Sequence, residues 1–222
     1  MYLKSCNPII IFLLVFALLQ LNSCKKDPCE TVICLNGGVC NDGLCDCPDG
    51  YSGTQCETYD DCFGIVCLNN GVCVNGICNC PEGYTGSDCS QQVTPNKIKI
   101  NKIVVKDFPP TDNGAGWDLI SGPDIYPEIY DPQNNLLYSS STYFPDADPQ
   151  IDYDFDCSPS VDLTDPNAQY IFQLMDYDTG SDDWMGSIGF TPYYSTNGFP
   201  SVLTYSVNTN GLSFDLHVTY TW

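Results

Sequence analysis

The stretch "DYDTGSDDWMG", Asp176–Gly186, sets four carboxylates, Asp176, Asp178, Asp182 and Asp183, within eight residues and then closes on Trp184, Met185 and Gly186. Carboxylates held within about 4–6 Å of one another disfavour joint ionisation unless a cation stands between them. Ca2+ suits such a group because it takes about six to eight hard oxygen ligands in irregular geometry. A single contiguous calcium loop of the EF-hand kind is excluded, since Gly180 falls at a ligand position and Ser187 stands where the closing Glu belongs. Two loops plus water can supply such ligands. The competing account is that Asp simply favours turns and these side chains are solvated; Asp182 is the one best explained that way.

The elements that would position these residues are strands. "KIKINKIVVK" alternates Ile98, Ile100, then Ile103 and Val105 with polar residues, and "NAQYIFQLMD" and "LSFDLHVTYTW" continue the pattern. In "IDYDFDC", Ile151, Tyr153, Phe155 and Cys157 alternate with Asp152, Asp154 and Asp156, a half-buried strand with Cys157 as an inert thiol on its apolar face. No segment shows a convincing helical period, and "DPQNN", "TDPN" and "NTNG" supply turns. From residue 97 to 222 this predicts an all-β, antiparallel sandwich of about eight strands. The single His, His217, falls on the polar face of its strand. No nucleophile-elbow, zinc-ligand or phosphate-loop signature is present, so the sequence gives no support for an enzyme.

With strands assigned, the acidic stretch resembles the third loop of a C2 domain, a calcium-dependent phospholipid-binding sandwich. In that family a strand ends in Asp-x-Asp, and Asp-aromatic-Met/Ile-Gly begins the next. Asp176, Asp178, Asp183, Trp184, Met185 and Gly186 fill these positions, in a loop one residue shorter than usual. "WDLISGPDIYPEIYD" is similar to the first loop, with Asp118 six residues before Asp124 and Tyr126 following. The resemblance implies that Asp118, Asp124, Asp176, Asp178 and Asp183 converge on Ca2+ at one end of the sandwich. Leu119 and Ile120 then either contact a membrane or partner, or pack beneath the loop.

Upstream the chain repeats itself. Six cysteines from Cys29 to Cys56 recur 33 residues later from Cys62 to Cys89, and a Pro-acid-Gly-Tyr-Ser/Thr-Gly run separates the last two in each unit. Paired zinc knuckles are absent. Each unit, 29–56 and 62–89, resembles an EGF-like domain. That resemblance implies bridges Cys29–Cys40, Cys34–Cys45 and Cys47–Cys56, then Cys62–Cys73, Cys67–Cys78 and Cys80–Cys89. Modules this small cannot bury enough apolar surface to offset chain entropy, so covalent bridges take the place of a core. Asp60 and Asp61 match only part of the pattern by which some EGF-like domains bind calcium. Residues 90–96 read as a polar linker.

At the N-terminus, Lys4 precedes an apolar run from Ile9 to Leu19, a secretory signal too short for the roughly 20 residues of a spanning helix. "LNSC", Leu21–Cys24, resembles the lipobox of bacterial lipoproteins, despite the unusual Asn22. The resemblance implies a signal peptide over 1–23, acylation of Cys24, a lipid-anchored segment 24–28 and placement at the outer membrane or cell surface of a bacterium. An ordinary signal peptide cut nearby is the alternative. Without acylation, a Cys24–Cys157 bridge becomes the rival account.

The formal charge of -21, with seven Lys and no Arg, excludes nucleic acid as a partner and favours cations. Two functions follow. In one, an anchored surface protein binds phospholipid, protein or glycan in a calcium-dependent way through its C2-like loops, with the EGF-like pair as stalk. In the other, an adhesin or scaffold protein binds partners through those modules and calcium is purely structural.

Overall fold

The computed structural model describes residues 26–111, 114–118, 121–207 and 211–222. The signal segment, Cys24, and the loop residues Leu119 and Ile120 lie outside these. Among the described residues every regular element is a strand, as the sequence predicts: β1 (Val39–Asn41), β2 (Leu44–Asp46), β3 (Tyr51–Ser52), β4 (Thr58–Tyr59), β5 (Val72–Val74), β6 (Ile77–Asn79), β7 (Tyr84–Thr85), β8 (Gln91–Gln92), β9 (Lys97–Asp107), β10 (Ile125–Tyr130), β11 (Leu136–Ser139), β12 (Tyr153–Leu163), β13 (Tyr170–Asp176), β14 (Asp183–Phe190), β15 (Val202–Val207) and β16 (Leu212–Thr221). Two compact units form. One takes in residues up to Val66 together with Cys73–Ile77, the other Cys67–Val72 and Cys78–Trp222.

The first unit depends on covalent bridges. Cys29–Cys40, Cys34–Cys45, Cys47–Cys56 and Cys62–Cys73 close loops of 9 to 11 residues. Between them the strands are only two or three residues long. Apolar side chains stay outside, with Ile33, Val39, Leu44 and Val66 each more than 60% exposed. Bridges that restrict the unfolded chain, rather than buried area, hold such a module.

The second unit contains Cys67–Cys78, Cys80–Cys89 and the sandwich. Its two sheets have the orders β11-β10-β13-β14 and β12-β9-β16-β15, and all pairs are antiparallel. The inner faces meet through Phe155, Phe172, Phe190 and Phe214, with the Phe172 and Phe214 rings stacked at 3.9 Å. In β9 the buried set passes from Ile98 and Ile100 to Ile103 and Val105, a change of parity. A register shift against both neighbours, near Asn101, absorbs the extra residue.

The alternation of β12 holds within the strand and fails just before it. Ile151, expected on the apolar face, is 53% exposed and precedes the strand, where its N–H donates to the Asp148 carbonyl in a turn. Cys157 is buried as a thiol, pushed up to about 11 by burial and by Asp156, against a hydrogen bond from Tyr138 that lowers it. A thiol so far above neutrality is a poor nucleophile.

The 78–96 segment is docked on the sandwich. Tyr84 meets Phe199 edge-on at 5.3 Å, the Trp222 indole N–H donates to the Val93 carbonyl at 3.2 Å, and Asn96 N–H donates to Thr221 O at 2.8 Å. Gly83 is the point of closest approach. It has φ +85°, and an added Cβ would lie 2.5 Å from the Phe199 ring and 2.6 Å from Trp222. In the first unit Gly50, 33 residues earlier, meets the Phe63 ring in the same way, with a Cβ-to-ring distance of 2.8 Å. Gly83→Val therefore meets a positive φ and an aromatic wall together. We expect it to destabilise the chain by roughly 2–4 kcal/mol and to open the 90–96 segment to protease, read by thermal melting and limited proteolysis.

Candidate functional site

Three neighbouring strand ends create the site. In the sheet, β13 lies between β10 and β14. Ile125 at the start of β10 pairs with Asp176 at the end of β13, and Asp176 pairs with Asp183 at the start of β14. Antiparallel pairing thus carries Asp124, Asp176 and Asp183 to one end of one sheet. Asp118 approaches on the preceding loop, which is anchored by the Trp117 indole N–H donating to Pro109 O at 2.8 Å.

Asp176 is the most enclosed, at 1% exposure. Its Oδ1 accepts the Asp124 backbone N–H at 2.6 Å, while its Oδ2 is buried with no hydrogen-bond partner. Burial, followed by the charges of Asp118, Asp178 and Asp124, pushes its carboxyl up to about 6, against the pull of the Asp124 N–H. Asp178 is also raised, first by burial and then by Asp118, Asp183, Asp182 and Asp124. All five carboxylates assigned from sequence therefore belong to one electrostatic neighbourhood.

They do not close into a cage. Among the described residues, no three acidic, His or Cys side chains stand in a metal-holding group. Mutual repulsion and local donors explain the spread. Asp118 Oδ2 accepts the Ser121 hydroxyl at 3.0 Å, and Asp124 Oδ1 accepts the Asp146 N–H at 3.1 Å. A buried carboxylate oxygen without a donor is costly, and a cation at Asp176 Oδ2 removes that cost. That unpartnered oxygen is the one feature here that a hard divalent ion would satisfy.

Two residues matter more than the sequence indicated. Asp182, expected to be a simple turn residue, does cap the turn by accepting the Asp178 N–H at 3.0 Å. It also accepts the Tyr126 hydroxyl at 2.6 Å, tying the loop to β10. Burial and Asp182 hold the Tyr126 phenol well above its ordinary range. Asp146, whose N–H steadies Asp124, belongs to no motif of the sequence. It sits at φ +53° in "FPDADPQ", whose paired Pro-Asp and Asp-Pro steps were the available signal.

The EGF-like domain family matches residues 62–89. A stretch of 39 residues is 49% identical to a Neurogenic locus notch homolog protein of Giardia intestinalis (strain ATCC 50803 / WB clone C6), covering 16% of this chain and 7% of that protein. Among solved structures, one titled "Structure of a C2 domain" is similar at 14% identity, over 57% of this chain and 98% of that one, with a TM-score of 0.40. A structure of the two C2 domains of Extended-Synaptotagmin 2 is similar at 18% identity, over 62% and 45%, with a TM-score of 0.35. Likenesses at these scores assign no residue or ligand of this chain.

The folded Asp176 holds its proton more tightly than the unfolded chain does, so stability falls as pH rises from the unfolded value of 3.8 to about 6. By neutral pH the cost is roughly 3 kcal/mol, at about 1.4 kcal/mol per unit. In chelator, the melting temperature should drop by several degrees between pH 5 and pH 7. Asp176→Asn should remove that part of the drop and raise stability at pH 7; an unchanged profile would refute the assignment.

Proposed function

We propose that this chain is an exported binding protein whose sandwich takes up Ca2+ at its acidic loop end and engages a surface partner in a calcium-dependent way. The supporting observation is the orphaned, buried Oδ2 of Asp176, set among four further carboxylates. Asp176, Asp178, Asp118, Asp124 and Asp183 would hold the ion. Bound there, Ca2+ supplies positive charge and open oxygen-coordinating capacity on an otherwise anionic surface. The chain's own part is to fix the loops, through the Asp124–Asp176 and Tyr126–Asp182 hydrogen bonds, and to present Trp184, 58% exposed beside Asp183. Every Lys of residues 97–222 lies on β9, at 97, 99, 102 and 106. Among the described residues, no basic patch at the loop end holds an anionic partner without the metal.

In this reading the six bridges suit an oxidising compartment, the two EGF-like modules are a stalk, and acylated Cys24 tethers the chain to a bacterial membrane. The role is binding rather than catalysis. Recognition through the modules themselves is the second reading. It is favoured by apolar positions that recur exposed in both repeats: Ile33 and Val66, Val39 and Val72, Leu44 and Ile77.

Calcium calorimetry on the full chain decides whether the ion binds. We expect a dissociation constant in the micromolar to millimolar range of extracellular modules, weakened at least about tenfold by Asp178→Asn. Pelleting with cells or liposomes should then be lost in chelator. Pelleting that persists in chelator, and in a chain ending near Gln91, would move recognition to the modules.

A further inference from the structure

Beside the loop end, a cleft of about 330 Å³ opens between the segment after β11 and the third loop, lined by Tyr126, Ser140, Thr142, Tyr143, Tyr177 and Asp182 among others. The Tyr143 and Tyr177 rings stack with centroids 4.7 Å apart and planes 15° apart, yet remain 44% and 43% exposed. Part of this stacked pair is therefore open to solvent.

The polar lining is one carboxylate, Asp182, among hydroxyls that both donate and accept. The Tyr126 hydroxyl donates to Asp182 Oδ2 at 2.6 Å, and Ser140 donates to the Thr142 carbonyl at 2.7 Å. The Ser140 oxygen also accepts the Thr142 N–H at 3.2 Å. What remains for a donor is the Tyr126 phenol oxygen and the carboxylate, whose oxygens accept more than one bond each. Among the described residues, no cationic side chain lines the cleft. A fitting ligand is flat, positive and able to donate to the carboxylate.

We propose that this cleft receives an arginine side chain of a partner protein, with its guanidinium stacked on the tyrosine pair and donating to Asp182. Guanidinium has five N–H donors in a plane, accepts nothing, is weakly hydrated and stacks on aromatic faces. Lysine offers the charge without the plane; a neutral sugar offers donors without the charge. Asp182 steadies the calcium loop through Tyr126 and the Asp178 N–H but is not among the carboxylates assigned to the ion, so the cleft is tested without calcium.

The test is an NMR titration of the full chain in chelator with three blocked pentapeptides of otherwise Gly and Ser, bearing a central arginine, lysine or citrulline. The arginine peptide should bind saturably with a millimolar constant and shift the Tyr143 and Tyr177 ring signals. The lysine and citrulline peptides should bind on the order of tenfold more weakly. Tyr177→Ala and Asp182→Asn should each weaken the arginine peptide about tenfold, while Tyr177→Phe, which keeps the stack, should retain it. Equal binding of the lysine peptide, indifference to both weakening variants, absence of saturable arginine binding, or binding of maltohexaose in its place would each overturn the proposal. Because calcium is absent throughout, failure here leaves the calcium reading standing.

Discussion

Burial of one ionisable carboxyl, Asp176, between the ends of β10 and β14 is the constraint around which the loop end is organised. Its position follows from pairing: Ile125 on one side and Asp183 on the other fix it at a sheet end. Its Oδ1 is satisfied by the Asp124 N–H and its Oδ2 is not. Neighbouring carboxylates then raise the cost of ionising it. A structure that tolerates this arrangement at neutral pH gives up stability locally.

The remainder of the chain supports that end by two different physical means. Disulfides hold the small modules, leaving apolar side chains outside. Aromatic packing holds the sandwich, where four buried phenylalanines bridge the sheets. The junction at Gly83 joins the two regimes, with Phe199 and Trp222 closing on a backbone that has no side chain in the way. That the repeat places Gly50 against Phe63 in the same manner shows that one modular device serves both positions.

Much of this was legible in the sequence because it rests on local pattern. Alternation marked β13, β16 and, with one change of parity, β9, and the 33-residue recurrence marked the modules. Asp118, Asp124, Asp176, Asp178 and Asp183 share one electrostatic neighbourhood in the fold. What local pattern could not show was tertiary partnership. Ile151 continues the alternation of β12 but is claimed by a turn from Asp148. Asp182 reads as an ordinary turn residue until Tyr126, 56 positions away, is placed beside it. Asp146 serves Asp124 through its backbone N–H, which no side-chain motif records. Likewise, the spread of the five carboxylates among local donors depends on neighbours such as Ser121 rather than on their own spacing.

The most direct measurement is a crystal structure grown with millimolar Ca2+ and refined against anomalous data. A calcium peak about 2.3–2.6 Å from Asp176 Oδ2, with Asp178 and at least one of Asp118, Asp124 or Asp183 turned onto it, is the predicted result. A well-ordered loop end in which Asp176 Oδ2 meets only a protein donor or a water, with no anomalous peak, would contradict the account.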